Sequence, residues 1–194
     1  MKMLLSAYCS GSITKGAGDE KKTCWTKIEK DQVRQTAHPY DVVFLNPDDP
    51  ITDPGNVLGQ FGRDMYQVMV ADAVIVDARE RRGLGIGVEM AAAAAMGTPV
   101  IVVAPRNSKY RLDELHYRGA TVTDYVHPHV ASLASYVVES FYDAGQALVK
   151  TLGEKKAPGS RPQWLEPAIT EYRSNVLRHD APMLAAQERL GLAE

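Results

Sequence analysis

The feature that most constrains this chain is a set of short, nearly continuous apolar runs separated by stretches with a helical pattern. Residues 3–8, 41–45, 73–77 and 99–104 are such runs, rich in Val, Ile, Leu and Ala. A strand that is apolar on both faces belongs inside a parallel sheet with helices covering both sides. Residues 120–126 give a weaker fifth run. The intervening helical patterns fall at 19–35, 64–71, 84–96 and 129–152, with the Ala-rich third one stopped by Gly97. Residues 53–62, rich in Gly, Pro and Asn, read as a long loop, which places Asp64 at the start of its helix.

Right-handed crossovers leave one economical topology for this order of elements. The expected fold is therefore α/β, a flavodoxin-like doubly wound five-stranded parallel sheet of order 2-1-3-4-5. Its ligand crevice should lie at the carboxyl ends of strands 1 and 3. Residues 150–162 change character and read as a linker, with Gly153, Lys155-Lys156, Pro158-Gly159-Ser160 and Pro162. Two helices, 164–177 and 182–192, follow. The expected organisation is an α/β domain over 1–152 and a linker with a C-terminal helical extension over 153–194. Trp164, Leu165, Ile169, Tyr172 and Val176 recur at helical spacing, and the extension is expected to serve as a dimer clasp ahead of a lid.

Charge removes one class of partner. The 22 Lys and Arg against 24 Asp and Glu give a net charge of −2, so nothing points to a nucleic acid polymer. The longest strongly apolar run, 88–96, is too short to span a bilayer, and the first residues turn polar too soon for a signal peptide. No membrane partner and a cytoplasmic location are expected. Cys9 and Cys24 have neither disulfide-framework nor zinc spacing. His127-Pro128-His129 lacks a companion carboxylate or Cys and reads as a surface turn, so no metal is expected. A Gly-x-x-x-x-Gly-Lys-Ser/Thr loop and a Gly-x-Ser-x-Gly elbow are both absent, and Gly83-x-Gly85 lacks the third glycine of a dinucleotide fingerprint.

The ends of strands 1 and 3 carry the polar and glycine residues a crevice needs. After strand 1 come Tyr8, Ser10, Gly11, Ser12 and Thr14; after strand 3 come Asp77 and then Gly83, Gly85 and Gly87. Glu89 stands out, an acid about one turn into an otherwise apolar helix. It is either a first-turn carboxylate favoured by the helix dipole or a nucleophile held ionised beside a glycine turn that admits a substrate. Asp64 is either a helix-start carboxylate or the second member of an acid pair. Two carboxylates on one crevice can divide the work of cleaving a glycosidic bond. Asp77 is either a ligand contact or a turn former. Asp72 reads as structural.

Tyr8 to Ile13, Asp64 eight positions before Asp72, and Ala71-Asp72-Ala73-Val74-Ile75-Val76 leading to Gly85-Ile86-Gly87-Val88-Glu89 together resemble the nucleoside 2-deoxyribosyltransferase family, which includes 2'-deoxynucleoside 5'-monophosphate N-glycosidases. The likeness covers about residues 1–142 and includes the turn Arg118-Gly119-Ala120. It implies a homodimer or larger assembly with shared sites, Glu89 as nucleophile and Asp64 as sugar contact or proton donor. Tyr8, Gly11 and Ser12 would line the pocket. No cofactor is implied.

Two departures bear on substrate. Gly83 stands where transferases have Asp and nucleotide hydrolases often have Ser, and Glu114 stands where relatives supply Asn or Ser from a neighbouring subunit. A carboxylate there repels a 5'-phosphate by about 1–4 kcal/mol at contact and favours a free 5'-hydroxyl. Arg79, Arg81 and Arg82 pull towards phosphate instead. The expected activity is cleavage or transfer at the N-glycosidic bond of nucleosides, as a transferase or hydrolase in nucleotide metabolism. The alternatives are a nucleoside monophosphate N-glycosidase and a nucleotide sensor without turnover.

Overall fold

The computed structural model describes residues 3–11, 25–47, 55–80, 83–152 and 166–192. In chain order the described elements are β1 (Leu4–Ser10), α1 (Lys27–Thr36), β2 (Asp41–Leu45), α2 (Val57–Val70), β3 (Ala73–Asp77), α3 (Leu84–Met96), β4 (Val100–Val103), β5 (Arg111–Tyr117), β6 (Ala120–Val126), α4 (Pro128–Leu133), β7 (Tyr136–Val138), α5 (Phe141–Lys150), α6 (Glu166–Glu171) and α7 (Ala181–Leu190). Five strands form one all-parallel sheet in the order β2-β1-β3-β4-β7. Helices α2 and α3 pack on one face around Met65, Tyr66, Met90 and Ala93, and α1 and α5 on the other around Val33, Phe141 and Leu148. This is the flavodoxin-like doubly wound α/β architecture. Among the described residues no helix is long and apolar enough to cross a membrane.

The fifth place in the sheet is filled by Tyr136–Val138, not by residues 120–126. The latter run alternates apolar and polar residues, a pattern suited to a half-solvated antiparallel pair. It pairs with β5 through the two-residue turn Arg118-Gly119, whose φ values of 50° and 78° are those of a type I′ hairpin turn. The expected long helix over 129–152 is likewise three elements. Pro128 opens α4, the Ser135 hydroxyl oxygen accepts from Val100 N–H at the start of β4, and Ser140 restarts a helix by accepting from Asp143 N–H at 3.2 Å.

The expected loop over 53–62 is also corrected. Helix α2 begins at Val57, capped by the Asn56 side chain, which accepts from Gly59 N–H at 2.8 Å. Asp64 therefore sits in the middle of α2 rather than at its start. Its glycines serve packing: a Cβ at Gly62 would stand 1.9 Å from the Ala168 carbonyl oxygen, and one at Gly59 would stand 2.5 Å from Val176. These close approaches seat the C-terminal extension on α2. Beyond α6 the chain runs through a π-helical turn (Tyr172–Val176) and a 3-10 turn (Leu177–His179) into α7.

Ile169, Tyr172 and Val176 are buried in the main core, so the apolar face expected to clasp a second copy is used within the chain. Trp164 and Leu165 lie outside the described residues. The anchor is a buried ion pair between Arg63 and Asp180. Tyr172 Oη donates to the same carboxylate at 2.9 Å, and Arg63 Nη1 donates to the Asn46 carbonyl at 3.0 Å.

Candidate functional site

Side chains alternate across a strand, so register decides what meets what. β1 lies in the sheet with Tyr8 opposite Val74 and Ser10 opposite Val76, and those four side chains share the face covered by α2 and α3. Helix α3 starts at Gly83, which offers no side-chain cap, and ends on Gly97 at φ 75°. Its buried side carries Glu89, Met90, Ala92, Ala93 and Met96. Glu89 thereby points at the end of β1. Tyr8 Oη donates to its Oε1 at 2.9 Å and Ser10 Oγ to its Oε2 at 2.5 Å.

Glu89 is 6% exposed, and among the described residues no cation pairs with it. Burial pushes its carboxyl above the usual glutamate value, while the hydroxyls of Ser10 and Tyr8 pull the other way without cancelling the effect. The Tyr8 phenol is pushed well up, first by its own burial and then by the charges of Glu89 and Asp64. It stays a proton donor in the hydrogen bond throughout the neutral range. Asp64, half-buried on α2, is thus within electrostatic reach of the Tyr8–Glu89 pair. The structure brings together Glu89, Tyr8 and Asp64. It adds Ser10, whose position at a strand end was noted in the sequence but whose partner was not.

The remaining candidates are distributed differently. Gly11 is the half-buried residue that follows β1, and Ser12 lies outside the described residues. Gly83, Gly85 and Gly87 are exposed, and a Cβ at any of them would meet nothing within 4 Å among the described residues. Asp77 shares the parity of Ala73 and Ile75 and so faces the opposite side of the sheet from Glu89. There Arg79 donates to both its oxygens at 3.0 Å, reaches Glu29 at 3.2 Å and lies 4.8 Å over the Phe141 ring. Arg79 is therefore committed to that face, and Arg81 and Arg82 lie outside the described residues. Glu114 is exposed on the β5–β6 hairpin, 2.6 Å from His116 Nε2, and makes no bond to the Glu89 group.

A cavity of about 880 Å³ opens on the other side of α3. Val76, Ala78 and Met90 line it together with Gly83 and Gly87, and His127 joins from the hairpin exit. Glu89 is not on its wall. His127 and His129 meet edge to face at 5.2 Å, and among the described residues no cluster of three or more His, Cys, Asp or Glu side chains is arranged to hold a metal ion. Comparison with protein-family models, with curated proteins and with solved structures finds no match in any of the three.

Proposed function

We propose that the chain is an enzyme acting at the N-glycosidic bond of nucleosides, in the manner of the nucleoside 2-deoxyribosyltransferases its sequence resembles. The observation that carries this reading is Glu89: a buried carboxylate facing the carboxyl end of the first strand, held by two hydroxyls and, among the described residues, by no cation. A buried acid with no compensating charge costs stability and is found where its chemistry is used. One Glu89 oxygen attacks the anomeric carbon as the carbon–nitrogen bond breaks, and the electron pair leaves with the base. The departing base takes a proton from Asp64 or from a water that Asp64 orients. A nitrogen of a second base, or water, then attacks the glycosyl ester, gives its proton back to Asp64 or to the water that Asp64 orients, and frees the Glu89 carboxylate.

Arg79 is held on the opposite face by Asp77 and Glu29, which favours a free 5'-hydroxyl over a 5'-phosphate. A homodimer is part of the reading. Hairpin β5–β6 has mostly exposed residues on both strands, and a two-stranded hairpin is marginal in water by itself. Leu84 stands 93% exposed beside the cavity. Sedimentation or light scattering tests the dimer.

The activity is tested by incubating the protein with ribo- and deoxyribonucleosides and their monophosphates, with and without an acceptor base. Base exchange from nucleosides is the expected result. Release from monophosphates alone replaces the reading with a nucleotide N-glycosidase, and tight binding without turnover replaces it with a sensor.

A further inference from the structure

We propose that Ser10 is a positioning residue for Glu89, its hydroxyl fixing one carboxylate oxygen while Tyr8 fixes the other, so that the group is held in the orientation attack on a sugar carbon requires. The inference rests on Glu89 being the nucleophile and assigns how that nucleophile is kept in place. Ser10 is fully buried at the last position of β1, and Glu89 is the bonding partner of its side chain. Its backbone is fixed as well. The Trp25 indole N–H donates to the Ser10 carbonyl at 3.0 Å from the opposite face of the sheet, where Trp25 packs edge-on to Phe141 at 5.1 Å.

A carboxylate gripped at one oxygen still swings about its last torsion; gripped at both, it does not. Tyr8 supplies the first grip from the strand's interior and Ser10 the second from its end, two residues apart on one face. The same two bonds favour the charged form of a group whose burial opposes it. Among the described residues, the groups facing Glu89 are Tyr8 and Ser10 from β1 and, across Tyr8, Asp64 from α2. Asp77, Arg79 and Glu29 lie on the far side of the sheet.

The test is a pH titration of the Glu89 side-chain carboxyl by carbon-13 NMR on the intact protein, with the resonance assigned by its loss in Glu89→Gln. Ser10→Ala is expected to raise the titration midpoint by about one pH unit, and Ser10→Thr, which keeps the hydroxyl, to restore it. Ser10→Cys, with a weaker donor, should fall between and serves if the alanine variant does not fold. Ser6→Ala is the control. Ser6 lies on the same strand face but bonds Asp72 at 2.8 Å, and its loss should leave the Glu89 midpoint in place. In the active enzyme, the acid limb of kcat/KM should move with the midpoint in each Ser10 variant. An unmoved midpoint in a folded Ser10 variant, or an equal shift in Ser6→Ala, overturns the assignment. The titration needs no substrate, so a Ser10-dependent midpoint with no turnover on any nucleoside sinks the glycosidic reading while leaving the hold on Glu89 established.

Discussion

The two faces of the central sheet each bury an acid near the carboxyl end of the strands, and they treat it in opposite ways. On the α1/α5 face, Asp77 is fully buried and meets a guanidinium: Arg79 bonds both its oxygens and stacks on Phe141. On the α2/α3 face, Glu89 is nearly as buried and, among the described residues, receives two hydroxyls and no cation. A third buried acid, Asp180, follows the first pattern with Arg63. Asp77 and Asp180 are thus each neutralised by a buried or half-buried guanidinium. The acid without one among the described residues lies at the carboxyl end of β1, the end of the sheet at which ligands bind in such folds.

The comparison can be broken at several points. The largest effect is expected at the buried pair. Asp180→Asn leaves the Arg63 charge without its counterion in the core and should cost about 3–5 kcal/mol of unfolding free energy in urea. Glu89→Gln comes next and should behave in the reverse sense. Turnover falls on the order of 10²-fold or more, yet the protein is not destabilised near neutral pH.

The sign follows from linkage. Burial raises the Glu89 pKa above its unfolded value, so the folded state binds the proton more tightly and stability falls as pH rises through that range. The melting temperature of Glu89→Gln should therefore exceed that of the parent near neutral pH, and the gap should close once acid protonates Glu89. A lower melting temperature at both ends of that pH range would make Glu89 architectural and end the contrast. Arg79→Met, which turns Asp77 into an unneutralised acid like Glu89, should cost about 1–2 kcal/mol, discounted because Arg79 is 31% exposed. The smallest effect belongs to Gly87→Ala. With open space around it among the described residues, alanine should add up to about 1 kcal/mol of helix stability in thermal melts. A loss instead would show that something beyond the described residues lies against that backbone.

Much of this contrast was legible in residue order, and the rest failed for identifiable reasons. Helix α3 could be bounded to the residue because Gly83 and Gly97 punctuate it, and the odd acid inside it drew attention to Glu89. Period-two alternation along β3 already places Asp77 on the opposite face from Val76, a signal sufficient to separate it from the Glu89 group. Ser10 was visible as polar but not as a partner, because its bond depends on how α3 lies over β1, 79 residues away in sequence. Gly59 and Gly62 mimic a loop, since the helix they permit to approach lies more than a hundred residues downstream. Strand β7 is three residues inside a stretch of helical composition, too short for any period to register.

The Arg63–Asp180 pair also sets an order of events during synthesis. The parallel sheet has all its strands once Val138 has emerged, but the guanidinium on α2 must wait until Asp180 follows, 117 positions after it. Through that interval α2 lacks the carboxylate that the finished fold sets against Arg63. The final packing of α2 therefore waits on the C-terminal helices, the last part of the chain to be made.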